Sequence, residues 1–308
     1  MKNYYKVRLG KLASHLKACI KDNFIGADYH FNIDFTNQLT EQWNDFKKKF
    51  VPLYLKEKPD KSKISAGLAC GALWTIGKGI KIGDIVLCPD GYSKYLVGEV
   101  ISEYSYHTGE ILPHRRKVKW FEERIDRSIM SDTLQLSIGT PQTVSRIDKY
   151  ADEIETLLSG KGPAVIVSTD ETIEDVSVFA LEKHLEDFLV KNWAQTELGK
   201  DYDILEEDGE LVGQQFQSDT GPIDILAIRK DKKELLVIEL KKGRASDVVV
   251  GQIQRYMGYV AGELAEDNQS VRGIIIALED DVRIQRALSV ASNIDFYRYQ
   301  VSFKLFKS

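Results

Sequence analysis

No apolar run in this chain approaches the roughly 20 residues needed to cross a bilayer. The opening stretch, MKNYYKVRLGKLASHLKAC, contains no h-region of a secretory signal. A cytoplasmic location without membrane attachment is therefore expected. Cysteine is scarce: Cys19, Cys70 and Cys88 are odd in number and lack metal-site spacing, so they read as reduced thiols. No G-x-x-x-x-G-K-[ST] phosphate loop occurs, so this chain is not expected to hydrolyse ATP. Internal repeats and low-complexity tracts are also missing.

What is present is ordinary globular material, 43% hydrophobic and 29% charged, in 308 residues, a length that accommodates two domains. The net charge of −5 does not advertise nucleic-acid binding. Net charge hides local clusters, however. The densest basic run is His114-Arg115-Arg116-Lys117-Val118-Lys119, followed by Trp120-Phe121, and a second lies at Lys56–Lys63. The breaker-rich stretch Ser159-Gly160-Lys161-Gly162-Pro163 follows a helical pattern at 145–158 and marks a boundary. The expected organisation is a domain at 1–158, a linker at 159–171 and a second domain at 172–308.

In the first domain, helical stretches at roughly 8–22 and 39–50 precede short strands at Asp84–Cys88, Tyr95–Ile101 and Arg116–Phe121. This order predicts an α+β domain on a curved sheet or partial barrel. In the second, an amphipathic helix at 176–192 is followed by strands near 210–217, 222–228 and 234–240. A long helix from about Asp247 to Leu264 comes next, with Ser246 or Asp247 as its cap. A strand at Arg272–Leu278, a helix near 281–291 and a strand near 295–306 complete the chain. The succession α-β-β-β-α-β-α-β predicts a mixed sheet with helices on its faces.

Within GPIDILAIRKDKKELLVIELKKG, Asp224 and Glu239 interrupt two apolar runs. If Arg229–Lys233 is a hairpin turn, the midpoint of the two acids falls inside it, and they face each other across paired strands. Directly opposed residues have Cβ atoms about 4.5–5.5 Å apart. Two carboxylates that close repel unless something positive lies between them, and a hard divalent cation is the natural occupant. Strand alternation puts Lys241 on the face of Glu239, where it can orient or deprotonate a metal-bound water. A bland alternative is a hairpin with acids and a lysine on its solvated side, but apolar neighbours as dense as DILAI and LLVIELK speak against solvation. Gln252 and Tyr256 share a face of the following helix at i and i+4.

Asp224, then Glu239-Leu240-Lys241, then Gln252-x-x-x-Tyr256 together resemble the PD-(D/E)xK nuclease superfamily in its RecB-like form. The segments GPIDILA, VIELKKGRA, GQIQRYMGYV and LEKHLEDFLVKNW are similar to the C-terminal domain of NucS-type endonucleases, over roughly residues 175–285. The resemblance implies a restriction-endonuclease-like α/β fold in which Asp224, Glu239 and the Leu240 main-chain carbonyl bind Mg²⁺ or Mn²⁺. Lys241 would then position the attacking water, and Glu186 would match the acid of the opening helix, with Glu182 as the competing candidate. Gln252 and Tyr256 would order the site and contact the DNA backbone. The proline of the first element, Pro222, stands two residues before the acid rather than adjacent to it.

In the first domain, GDIVLCPDG, YLVGEV and HRRKVKW resemble the PUA-like group that includes EVE and YTH readers, over roughly residues 20–140. This implies a PUA-like β-barrel-type α+β domain with an aromatic pocket for a modified base, with Phe24, Trp74 and Tyr106 as candidate walls. Arg115, Arg116 and Lys117 are the candidate DNA phosphate contacts, although a solvated strand edge is the alternative. The combined expectation is a Mg²⁺-dependent endonuclease of a modification-dependent restriction or phage-defence type acting on double-stranded DNA. A homodimer is expected, since one such domain holds one active site. The alternatives are a NucS-like repair nuclease for mismatched or branched DNA, a non-catalytic nucleic-acid-binding protein, or an RNA-directed role.

Overall fold

The computed structural model describes residues 2–159, 185–207 and 209–300. Glu182, most of the expected linker, the first turns of the helix expected at 176–192 and the end of the last expected strand lie outside them. The chain divides into two compact units, Met1–Thr169 and Asp170–Ser308.

The first unit is built on a mixed sheet. Its strands are β1 (Tyr4–Val7), β2 (Phe24–Ala27), β3 (Ile85–Pro89), β4 (Lys94–Val100), β5 (Ser105–Tyr106), β6 (His114–Asp126) and β7 (Val144–Arg146). They run in the order β2-β6-β4-β3-β1-β7, with β5 also on β6. DIVLC is apolar throughout because both of its faces are covered. Val86 and Cys88 join a core with Tyr5, Leu96 and Val100, while Ile85 and Leu87 join another with Tyr4, Tyr95 and Val97. Such two-sided burial gives a continuous apolar run instead of alternation.

The first core takes further side chains from α1 (Leu16–Lys21), α2 (Trp43–Glu57) and α3 (Lys63–Trp74). The second takes them from α4 (Asp132–Gly139) and α5 (Ala151–Leu158). Two expectations change here. The stretch Lys63–Trp74, left without an element by the expected order, is helix α3, capped by the Ser62 hydroxyl, which accepts from the Ser65 N–H at 3.0 Å. Its small residues Ala66, Ala69 and Cys70 are buried in the core. The helical pattern expected from 145 begins only at Asp148, because Val144–Arg146 pairs with β1.

In the second unit, helical residues 185–191 form α6, followed by the short α7 (Leu198–Asp201). Its strands are β8 (Tyr202–Ile204), β9 (Glu206–Glu207), β10 (Glu210–Leu211), β11 (Gln214–Ser218), β12 (Gly221–Arg229), β13 (Glu234–Arg244), β14 (Ser270–Glu279) and β15 (Ile294–Arg298). The main sheet runs β11-β12-β13-β14-β15, with β8 also on β12. β12 and β13 are antiparallel, whereas β14 and β15 lie parallel to β13. This is the mixed sheet that the order of elements implies. The β12–β13 turn closes at Lys232, whose N–H donates to the Arg229 carbonyl at 2.7 Å.

Helix α8 (Val248–Tyr259) lacks a side-chain cap from Asp247, contrary to expectation. Helix α9 (Val282–Leu288) is capped by Asp281, which accepts from Arg283 and Ile284. One sheet face carries Ile225, Ala227, Leu236, Ile238 and Leu240, packed with Leu185 and Leu189 of α6. The other face is covered by α8: a Cβ on Gly273 would meet Met257 Sδ at 2.7 Å, so β14 and α8 are in close approach.

Near β6, a buried imidazole sets a pH response. His114 is fully buried beside Phe35, with ring centroids 5.0 Å apart. Its Nε2 faces the Phe31 carbonyl at 3.3 Å, which can only accept, so Nε2 carries the proton and Nδ1 accepts from Tyr104 at 2.9 Å. Burial pushes its pKa down to about 4. The stability held by the neutral ring is fully present above the ordinary value near 6.5 and is lost as pH falls toward about 4. The loss should be on the order of 3 kcal/mol. Thermal melts of the intact chain across that window should show a steeper pH slope for wild type than for His114→Phe; equal slopes would contradict it.

Candidate active site

Ile225 pairs with Ile238, so the next rung of the β12–β13 ladder belongs to Asp224 and Glu239. Ile225 and Ile238 face α6, and strand alternation therefore turns Asp224, Glu239 and Lys241 toward α8. At this rung the strands no longer simply exchange backbone hydrogen bonds. The Leu240 N–H donates instead to Asp224 Oδ2 at 2.7 Å, fixing the carboxylate against the neighbouring strand. Glu239 is buried, and Lys241 Nζ lies 3.0 Å from its Oε1. A buried carboxylate is retained in charged form only when paired, and this ammonium supplies one such partner.

From α8, the Tyr256 ring is buried and Gln252 Nε2 donates to its hydroxyl at 3.3 Å. Burial, with smaller contributions from Glu239 and Asp224, raises the Tyr256 pKa to about 12, so its O–H is a neutral donor at physiological pH. The same hydroxyl lies 3.1 Å from where a Cβ on Gly221 would stand. Gly221 has φ +134°, a conformation that L side chains rarely adopt, so glycine there suits both the backbone and the tyrosine.

Glu186 of α6 is buried, and two adjacent glutamines hold its carboxylate. Gln214 Nε2 donates to Oε1 at 2.7 Å and Gln215 Nε2 to Oε2 at 2.5 Å. Gln215 also donates to Asp224 Oδ1 at 3.1 Å, and Gln214 to Asp187 Oδ1 at 3.2 Å. Gln214, Gln215 and Asp187 were not foreseen. The available signal was QQFQS, a strand in which two polar residues in succession break the alternation a half-buried edge would show.

The residues fit a hard cation by the chemistry of their donors. Asp224 and Glu239 offer carboxylate oxygens from adjacent strands, and the Leu240 carbonyl is close in sequence. Among the described residues no group of three or more His, Cys, Asp or Glu side chains is set to hold a metal ion. A two-carboxylate set completed by water is what Mg²⁺ tolerates, because it dehydrates reluctantly.

The candidate DNA contacts of the first unit are placed differently from expectation. Arg116 is buried, and its guanidinium donates to the carbonyls of Ile76 at 2.6 Å, Gly77 at 2.6 Å and Ser102 at 3.0 Å. The first two belong to the turn Thr75–Gly79 that ends α3, where carbonyls lack intrahelical partners. Arg115 lies 4.0 Å over the Phe24 ring and donates to the carbonyls of Leu112 and Ile111, with Glu110 2.6 Å away. Both arginines are therefore structural, and only Lys117 of the three is exposed. Phe24, beneath Arg115, is fully buried. Trp74 lies tilted against Trp43 and Tyr106 tilted against His114, the two pairs joined through Phe46 and Phe35. Two of the three expected pocket walls, Trp74 and Tyr106, are thus linked along one run of aromatic rings, while Phe24 lies under Arg115.

An acid pair on adjacent strands, a lysine two residues on, and a glutamine–tyrosine pair on α8 thus come together on one side of the second unit's sheet. Residues 182–300 match the family model of the endonuclease NucS C-terminal domain, and residues 5–148 match a domain of unknown function (DUF8426). Endonuclease NucS of Methanocaldococcus jannaschii is 27% identical over 128 residues, 42% of this chain and 44% of that protein. The chain thus spans less than half the length of this curated relative. Among solved structures, an EndoMS-dsDNA2 complex is 16% identical with a TM-score of 0.33, covering 68% of this chain and 62% of that one. A repair endonuclease from Pyrococcus abyssi gives 16% and 0.31, covering 69% and 66%. No helix among the described residues is long and apolar enough to cross a membrane.

The placement of Arg116 gives a direct test. Arg116→Ala should destabilise the chain by roughly 2–4 kcal/mol, through orphaned carbonyls and a cavity. Lys117→Ala should stay within about 0.5 kcal/mol. Denaturant titration of the two variants checks both, and equal stability would return Arg116 to the surface role.

Proposed function

We propose that this chain is a divalent-cation-dependent endodeoxyribonuclease whose C-terminal unit hydrolyses phosphodiesters and whose N-terminal unit selects the target. The observation that carries this reading is the meeting of Asp224, Glu239 and Lys241 on one sheet face, with Lys241 Nζ 3.0 Å from Glu239. Asp224, Glu239 and the Leu240 carbonyl would hold Mg²⁺ or Mn²⁺. Bound there, such an ion supplies Lewis acidity toward water and a phosphoryl oxygen.

The chain's own residues do the rest. Lys241 orients the attacking water and offsets charge that develops at phosphorus. Tyr256, kept protonated, donates a hydrogen bond into the site, and Gln252 holds its ring in place. Glu186 steadies Asp224 through the glutamine between them. For the N-terminal unit we favour a PUA-like reader of modified bases, which makes the whole a restriction or antiviral enzyme of the cytoplasm acting as a homodimer on double-stranded DNA. The match to the NucS C-terminal domain favours a second reading, a repair nuclease for mismatched or branched DNA.

Incubation with Mg²⁺ or Mn²⁺ and plasmids that are unmodified or cytosine- or adenine-methylated, with heavily modified phage DNA, and with mismatched or branched duplexes separates the two. Cutting confined to one modified substrate supports the reader; cutting restricted to mismatched or branched duplexes supports repair and removes it. Asp224→Ala and Lys241→Ala should each lower the cleavage rate at least ~10³-fold with DNA binding retained. Near-wild-type cutting by both variants sinks the mechanism.

A further inference from the structure

In a regular strand, neighbouring side chains point to opposite faces. Gln214 and Gln215 break that rule, since their amides meet the two oxygens of one carboxylate, Glu186. The backbone explains how. Gln215 has φ +50°, the left-handed region that non-glycine residues seldom occupy. The β11–β12 ladder pairs Gln214 with Ile225 and Phe216 with Ile223, and Gln215 lies between these rungs. Gln214 shares the face of Ile225, toward α6, where it meets Glu186 and Asp187. Gln215 stands beside Asp224 on the edge strand, and its single Nε2 reaches both Asp224 Oδ1 and Glu186 Oε2.

A strained backbone in an otherwise paired strand persists when surrounding contacts over-determine it, and such strain gathers at functional sites. Here it holds one amide between acids carried by the two sides of the sheet. Asp224 is then fixed from both ends: Oδ1 by Gln215 and Oδ2 by the Leu240 N–H. Groups that orient a ligating carboxylate in this way tune ion affinity without touching the ion.

We propose that Gln215 is a positioning residue that links Glu186 to Asp224 and so sets the affinity of the site for a divalent cation, here resting on the nuclease reading above. Its left-handed backbone is the device that lets one side chain serve both carboxylates. Gln214, bound to the α6 acids and not to Asp224, plays a lesser part.

The test is Mn²⁺ binding to the full chain without nucleic acid, followed by electron paramagnetic resonance of the free ion. Gln215→Gly keeps the backbone, since glycine adopts positive φ freely, and deletes the whole side chain with its amide. It should weaken Mn²⁺ binding about 10–100-fold, the usual effect of losing an orienting group, with an unchanged or higher Tm in the absence of the ion. Gln215→Asn, which also tolerates φ above zero but is one methylene short, should weaken it comparably. Gln214→Ala should have a smaller effect. Wild-type affinity in Gln215→Gly and Gln215→Asn overturns the inference. Asp224→Ala separates this from the parent reading: if it too binds Mn²⁺ as wild type does, the nuclease site itself is misassigned, whereas loss in Asp224→Ala with retention in the Gln215 variants removes only the role of Gln215.

Discussion

Two carboxylates on adjacent strands of a sheet repel each other and lose hydration, and the second unit is organised around that cost. Glu239 is among its few buried charged residues, set in a strand whose neighbours Ile238 and Leu240 are apolar. Lys241 answers it from the same face, the Leu240 N–H answers Asp224, and the Gln215 amide reaches Asp224 from the edge strand. Each contact places positive or hydrogen-donating character where two negative groups converge. A rigid sheet makes this possible, because β13 is flanked by β12 and β14 and cannot relax the acids apart. Rigid elements hold reacting groups more accurately than loops do.

The same logic separates the two units. In the second, charge is buried beside charge, and the geometry points to chemistry. In the first, charge is buried beside main-chain carbonyls. Arg116 closes the end of α3, and Lys6, also buried, donates to the Thr140 carbonyl at 2.9 Å just after α4. Cations at helix C-termini complement the dipole and the unpartnered carbonyls there. These are devices of architecture.

Much of the second unit was legible because its signals are local. A turn at Arg229–Lys233 and two flanking apolar runs determine the register, so the rung shared by Asp224 and Glu239 follows from counting. The 3.6-residue period of α8 likewise places Gln252 and Tyr256 on one side. What stayed hidden depends on contacts distant in sequence. HRRKVK reads as a surface charge run, and only the arrival of Ile76 and Gly77, some forty positions earlier, makes Arg116 internal. Gly67 and Gly71 masked α3, whose small side chains are a packing requirement instead of a loop signal. The left-handed Gln215 has no sequence mark beyond the doubled glutamine, since nothing in residue type announces φ +50° at a glutamine.

The proposed chemistry requires one divalent ion shared by the carboxylates of Asp224 and Glu239. Anomalous diffraction from crystals of the protein equilibrated with Mn²⁺ tests it most directly. A single strong peak within about 2–2.3 Å of an oxygen from each acid is the predicted result. A peak that contacts neither, or that sits on one acid with the other turned away, would contradict it.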